Sequence, residues 1–353
     1  MIKSSFGDIC ISGIASAVSS KWVPVEEFAV GMNEEDIKRF KKNTGVNGRY
    51  DANENQTAAD FCYAAAKTVI EHEGIDPLSV GLLVFVTQLP DYKYPGNACV
   101  LHGRLGLSEN CLAFDVNLGC SGLVYGLNIV CSIMETSNIK NALLLVGDTC
   151  GKSRRREIIN GYTDASDNDA KLFGDAGSAI LLKKDKNTSK IDITLRTDGT
   201  GYQMIISRGG GERYYGRPDV LKMESIDVFN FAIEKAPSVI KELMESIGRS
   251  PEDYDCLVLH QANHFMMKQI AKRSGFDTGQ NLISIDEYGN TSGASIAVTL
   301  SKQYGEDTDG EIRAMLCGYG IGLSWGAVSL TIEKKNILPI IQTDEYFDDG
   351  YKI

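Results

Sequence analysis

One local pattern is written twice in this chain, and the repetition constrains its fold more than any other feature. A glycine-bounded turn, Gly119-Cys120-Ser121-Gly122, follows a short apolar run and opens a segment of small and apolar residues. Gly289-Asn290-Thr291-Ser292-Gly293 follows another apolar run, NLISI, and opens a second such segment. Two further pairings accompany it: NALLLVGD with CLVLHQAN, and FGDAGSAILLKK with GLSWGAVSLTIEKK. A period of about 150–170 residues is too long for a solenoid and points to a duplicated unit whose corresponding loops meet at one site. Strand-length apolar runs alternate with helical patterns, which argues for a layered α/β architecture.

Helical spacing predicts helices over 33–49 (ending near Thr44-Gly45), 57–73, 95–105, 121–134, 226–247 and 262–274. Short apolar runs predict strands over 80–87, 111–116, 141–147, 256–260 and 281–285, a turn into a strand over 172–184, and strand, turn, strand over 313–330. The 111–116 run reads as buried. The polar stretch 151–169, with Arg154-Arg155-Arg156, reads as a surface loop.

Cys120 falls where a strand turns into a helix. The first N–H groups of a helix lack partners within it and carry partial positive charge. A thiolate there is stabilised, so a lowered pKa and a nucleophilic role are expected. His260 and Asn290 stand in two other loops that follow buried strands, where α/β proteins gather reactive groups. The trio fits two chemistries. One is papain-like hydrolysis, with His activating Cys and Asn orienting His. The other is acyl capture on Cys followed by carbon–carbon bond formation, with two neutral donors holding an enolate. His264, four residues beyond His260, lacks the further ligands of a metal site.

Composition narrows the setting. A net charge of -11 is a poor prior for nucleic acid or anionic membrane. Nine cysteines without CxxC pairs suggest reduced thiols in the cytoplasm. The first residues lack the pattern of a signal peptide. No apolar run reaches the roughly 18 residues that span a bilayer.

The stretches LHQANHFMMKQI, YGNTSGAS and GYGIGLSWGA, in this order after the Cys120 turn, resemble the thiolase-fold condensing enzymes, most closely the β-ketoacyl-acyl carrier protein synthase III family. The similarity runs over nearly the whole chain. It implies a thiolase-like duplicated αβαβα layered fold. Residues 1–185 would form the half carrying Cys120, 186–335 the half carrying His260 and Asn290, and 336–353 a C-terminal extension.

The resemblance also implies roles. Cys120 would take an acyl primer as a thioester. His260 and Asn290 would hold the enolate formed as a malonyl thioester loses CO₂. The backbone N–H groups of Cys120 and Ile321 would form the oxyanion hole, at a place where the family usually has glycine instead of Ile321. Asn263 would support the His260 region. Tyr94 would reach across a homodimer into the partner's acyl pocket, and Tyr319 would line a pocket. Lys268, Lys272 and Arg273 would dock an acidic acyl carrier protein. No metal or cofactor is implied beyond the substrates, an acyl-coenzyme A or acyl-carrier thioester and malonyl-carrier protein.

The chain departs from the family where coenzyme A is usually held. Asn43 and Asp167 occupy the two arginine positions, and no Trp precedes Asn43. Either the primer arrives on a carrier protein, or Arg154–Arg156 replace the phosphate contacts. The wording GCSGLVYGL is similar to synthases of surface-glycan or specialised acyl pathways rather than fatty acid initiation. The competing readings are a non-condensing acyltransferase on the same fold, an inert partner subunit and a papain-like hydrolase.

Overall fold

The structure is a computed structural model that describes residues 2–29, 31–163, 167–186 and 188–351. Two sheets form its frame. The six-stranded sheet runs in the order Ile341–Gln342, Ile9–Val18, Asp175–Lys184, Asn141–Thr149, Val80–Val86, Leu112–Val116. The five-stranded sheet runs Ile2–Phe6, Ile191–Thr197, Ser324–Glu333, Glu311–Gly320, Cys256–Leu259. The first strand of the chain thus lies in the second sheet.

Helices Gly122–Glu135 and Ser295–Tyr304 fill the space between the sheets. One buried cluster joins their Leu123, Leu127, Ile296 and Leu300 to Val84 and Leu144 of one sheet and to Ile193 and Leu316 of the other. Small side chains let both helices fit there. A Cβ at Gly126 would come within 2.6 Å of Leu144. Alternate strand residues face outward. Leu83, Leu143 and Leu181 pack beneath helix Ala58–Glu73. Leu257, Met315 and Cys317 pack beneath helices Ser225–Ile247 and His264–Ser274. The result is five layers, α-β-α-β-α. Each fully buried Leu or Ile in them contributes roughly 1.5–3 kcal/mol.

Several expectations need correction. CLVLHQAN is the counterpart of VGLLVFVT, not of NALLLVGD, because Cys256–Leu259 and Val80–Val86 each run parallel beside the long strand of their sheet. The counterpart of Asn141–Thr149 is Glu311–Gly320. NLISI makes one bridge, Asn281 to Leu257, and then enters the short helix Ile285–Tyr288. The 111–116 run is an edge strand and only half buried.

The 151–169 stretch holds a helix, Cys150–Ile159; its residues 164–166 lie outside the described residues. There the arginines are ion-paired: Arg154 with Glu157 and with Asp167 at 3.2 Å, Arg155 with Asp51, and Arg156 with Glu54 at 2.9 Å.

The extension is ordered as far as it is described. Its backbone and Asn336 follow the edge of the Ile9–Val18 strand, through Asn336 Nδ2 to the Ile11 carbonyl, Leu338 N to that of Ile14 and Thr343 N to that of Val18. Phe347 then covers the Arg104 guanidinium, and the Tyr92 hydroxyl donates to Asp349 at 2.7 Å.

Candidate active site

The two helices of the central layer begin side by side, and the turns that lead into them hold Cys120 and Asn290. Cys120 follows the edge strand through Asn117-Leu118-Gly119, with Ser121 at the N-cap. The strand Glu311–Gly320 runs close against it. A Cβ on Gly320, whose φ is 157°, would lie 2.6 Å from the Cys120 Cβ. The turn after this strand is tied to the helix start. Ser324 Oγ donates to the Ile321 carbonyl at 2.6 Å, so Ser121 Oγ donates to Ser324 Oγ, also at 2.6 Å.

This places the backbone of Ile321 beside the Cys120 sulfur. Its N–H and that of Cys120 both act to lower the thiol pKa. Ile321 fits where the family usually has glycine, because the positive φ angles fall on its neighbours Gly320 and Gly322. The expected low thiol pKa is not found, however. Cys120 keeps some exposure as a residue, yet burial of its sulfur, followed by the nearby Asp148 carboxylate, pushes the thiol up to about 12. Desolvation outweighs the helix start.

His260 ends the strand Cys256–Leu259, and its N–H donates to the Cys317 carbonyl at 2.8 Å. The ring is buried, which lowers its pKa to about 4, with the Ser292 backbone partly opposing; it is neutral near pH 7. Nδ1 lies 2.8 Å from Ser295 Oγ, which also accepts the Gln261 N–H at 3.3 Å. The Ser295 hydroxyl and Nδ1 thus share a hydrogen bond whose donor is set by the ring tautomer.

Asn290 is fixed by its backbone, with N donating to the Leu172 carbonyl at 2.9 Å and O accepting from Gly174 N at 3.0 Å. Its Oδ1 accepts from Ser292 N at 2.9 Å, which leaves the Nδ2 amide as the donor end. Among the described residues Ser292 alone, glycines aside, has a positive φ, 51°. Such a backbone persists where the surroundings enforce it. Ser292 is the joint of the site, touching Asn290 through its N–H, His260 through its backbone and the Cys120 sulfur through its hydroxyl.

The remaining predicted residues lie further out. Asn263 caps helix His264–Ser274, its Oδ1 accepting from Phe265 N and Met266 N. Tyr319 is buried with its ring edge-on to His260, and its hydroxyl donates to the His260 carbonyl at 3.1 Å, so that proton is committed within the protein. Tyr94, in the loop that follows the strand Val80–Val86, is 79% exposed. Lys268 and Lys272 line a groove of about 750 Å³ along the helix that follows His260. Arg273 donates to the Ile233 carbonyl.

Sequence reasoning missed Ser292 and Ser295 as site residues, and also Asp148 and Gln88. The one available signal was a carboxylate at the end of the apolar run NALLLVGD.

The family profile described as 3-oxoacyl-[acyl-carrier-protein (ACP)] synthase III matches residues 114–199, and that of its C-terminal part matches 244–332. A β-ketoacyl-[acyl-carrier-protein] synthase III from Caldanaerobacter subterraneus is 33% identical over 294 residues, 80% of this chain and 86% of that protein. The chain belongs to the β-ketoacyl-acyl carrier protein synthase III family. A relative from Xanthomonas campestris is 30% identical and spans 91% of this chain and 97% of its own. The fold agrees. The crystal structure of a 3-oxoacyl-(acyl-carrier protein) synthase from Burkholderia xenovorans superposes with a TM-score of 0.91 at 31% identity, covering 97% of this chain and 99% of that one. The chain is accordingly a condensing enzyme of the acyltransferase class, built on the thiolase fold.

Proposed function

We propose that Cys120 takes an acyl primer from a thioester and that a malonyl unit, carried by acyl carrier protein, condenses with it. His260 Nε2–H and Asn290 Nδ2–H donate to the malonyl thioester oxygen. They stabilise the enolate left as CO₂ departs. The carbanion attacks the Cys120 thioester while the N–H groups of Cys120 and Ile321 receive the developing oxyanion, and a 3-ketoacyl thioester leaves. The observation that carries this reading is the pair of oriented neutral donors. His260 is held neutral by burial with Nδ1 occupied, and the Asn290 amide oxygen is held by Ser292. A non-condensing acyltransferase has no use for that pair.

A carrier-borne primer is favoured over coenzyme A. Asn43 and Asp167 stand in the family's arginine positions, and Arg154–Arg156 are each engaged by a carboxylate. The basic helix with Lys268 and Lys272 suits an acidic carrier. A homodimer fits the half-exposed edge strand, where Leu112 is 51% exposed, and the protruding Tyr94. A cytoplasmic setting fits nine cysteines that are all free. Its primer, and whether it serves fatty acid initiation or a specialised acyl pathway, are read by one experiment. Intact-protein mass spectrometry follows Cys120 after incubation with acyl-coenzyme A and acyl-carrier thioesters, then with malonyl-carrier protein. A mass gain on Cys120 that malonyl-carrier removes, with a 3-ketoacyl product, is expected. A gain discharged only by an alcohol or amine would establish the acyltransferase reading instead.

A further inference from the structure

The C-terminal extension reaches past the sheet edge that it follows. Buried Gln56 gives its amide to it, donating to the Thr343 and Glu345 carbonyls at 2.8 and 3.2 Å. Asp344 accepts from Ser20 N at 3.3 Å and from Asn53 Nδ2 at 3.1 Å. Phe347 N then donates at 2.9 Å to Oδ1 of buried Asp60, which also accepts from Arg104 at 3.0 Å. The Arg104 guanidinium lies 4.3 Å from the Tyr63 ring centroid and 4.7 Å from that of Phe347. A cation held by aromatic faces and a buried carboxylate is a firmer anchor than an exposed ion pair. Residues 344–351 are therefore a strap, seated on the start of helix Ala58–Glu73 and the end of helix Asn97–Arg104.

The strap meets the loop 87–96, which forms neither helix nor strand. The Tyr92 hydroxyl donates to Asp349 at 2.7 Å. The neighbouring Asp91 is tied to the same anchor from below. The Thr57 hydroxyl donates to Asp91 Oδ2 at 3.1 Å, and Thr57 N donates at 3.0 Å to the Asp60 carboxylate that Phe347 N touches. The other end of this loop is at the active site. The Gln88 carboxamide fills the space beside Gly119, the residue before the nucleophile. A Cβ on Gly119 would lie 2.7 Å from Gln88 Oε1 and 2.9 Å from its Cδ. Gln88 Nε2 lies 3.3 Å from Ser292 Oγ, and Gln88 N donates to Asp148 at 3.0 Å. Pro90 stands between Gln88 and the two anchored residues and limits the slack between them.

We propose that the strap 344–351 is a specificity-determining segment. By fixing the loop at Asp91 and Tyr92 it holds Gln88 beside Gly119, and so sets the room that an acyl primer finds next to Cys120. With the strap loosened, Gln88 gains freedom to withdraw, and longer primers load relatively better. This inference rests on the proposed acyl-enzyme reading.

The test uses full-length enzyme with two changes confined to the strap, Phe347→Ala and Asp349→Ala together. Intact-protein mass spectrometry gives the loading efficiency on Cys120 for a series of straight-chain acyl thioesters. Hydrogen exchange reports the loop. Amide exchange across 88–96 should quicken by about tenfold or more, with the central helix Gly122–Glu135 unchanged. The loading ratio of the longest to the shortest primer should rise about fivefold. Gln88→Ala, which opens the same space directly, should move the ratio in the same direction. Malonyl decarboxylation should stay within about twofold of wild type. Should the doubly substituted strap not fold, Tyr92→Phe removes the hydroxyl bond to Asp349 alone and must give a smaller shift of the same sign. An unchanged primer ratio in the strap variants overturns the inference, whether or not the loop exchanges faster. So does an unchanged ratio in Gln88→Ala. An equal fall in loading of every primer and in decarboxylation also overturns it, because that is the mark of a merely structural role. If no donor loads Cys120 of the wild type, the acyl-enzyme reading fails and takes this inference with it; if donors load and the ratio stays fixed, only this inference fails.

Discussion

The two turns that open the central helices are alike in sequence and opposite in working principle. The Cys120 turn offers backbone: two N–H groups converge on one sulfur, held by the Ser121–Ser324–Ile321 chain of hydrogen bonds. The Asn290 turn offers side chains. Its backbone is occupied by Leu172 and Gly174, and the Ser292 N–H is used to orient the Asn290 amide. Duplication supplied two similar loops, and burial separated their tasks. One loop keeps some access to solvent and receives the substrate's acyl carbon. The other is fully enclosed and holds neutral donors in a dry place, where each hydrogen bond is strong.

If that division is right, the two turns fail differently. Cys120→Ala should abolish the acyl-enzyme completely while leaving malonyl decarboxylation measurable; a mass adduct persisting in the variant would move the nucleophile elsewhere. Asn290→Ala should leave acylation within a few-fold but lower condensation about 10²–10³-fold, as product formation from preloaded enzyme would report. Unchanged condensation would overturn the mechanism.

Ser295→Ala sharpens the comparison further. With Nδ1 released, the His260 ring loses the partner that orients it, and condensation should drop about tenfold with acylation unaltered. The smallest effect concerns stability. Burial raises the Asp148 pKa from 3.8 to about 6, so the folded state holds its proton more tightly than the unfolded chain does. Stability therefore falls as pH rises through about 4 to 6 and stays lower above, by about 3 kcal/mol at most. Asp148→Asn should raise Tm by a few degrees at pH 7 and by much less at pH 4.5, in thermal melts at both pH values.

The repeated turns and most of the strands and helices were legible in sequence because each rests on short-range pattern, whereas Cys120, His260 and Asn290 took their expected roles from motifs that resemble the family. What was not legible depends on partners far along the chain. Arg154 looks like one of a solvated run, yet its partners Glu157 and Asp167 bury it beside Leu221. The 111–116 run has the length and apolarity of a buried strand, and only the sheet order makes it an edge. The lowered thiol pKa was expected from the helix start alone; burial of the sulfur within the fold, followed by the Asp148 carboxylate, reverses it. Ser292 and Ser295 read as ordinary turn and helix residues until the fold brings His260 against them.

The C-terminal extension changes what the six-stranded sheet is able to join. By lying along the rim of the Ile9–Val18 strand it leaves that sheet, among the described residues, one unpaired rim, along Leu112–Val116. A sheet with a single vacant rim polymerises no further than a pair, because each copy that pairs there uses up its own rim as well. That rim also runs, within four residues of Val116, into Cys120. A strand added along that rim would lie beside the segment that leads into the nucleophile.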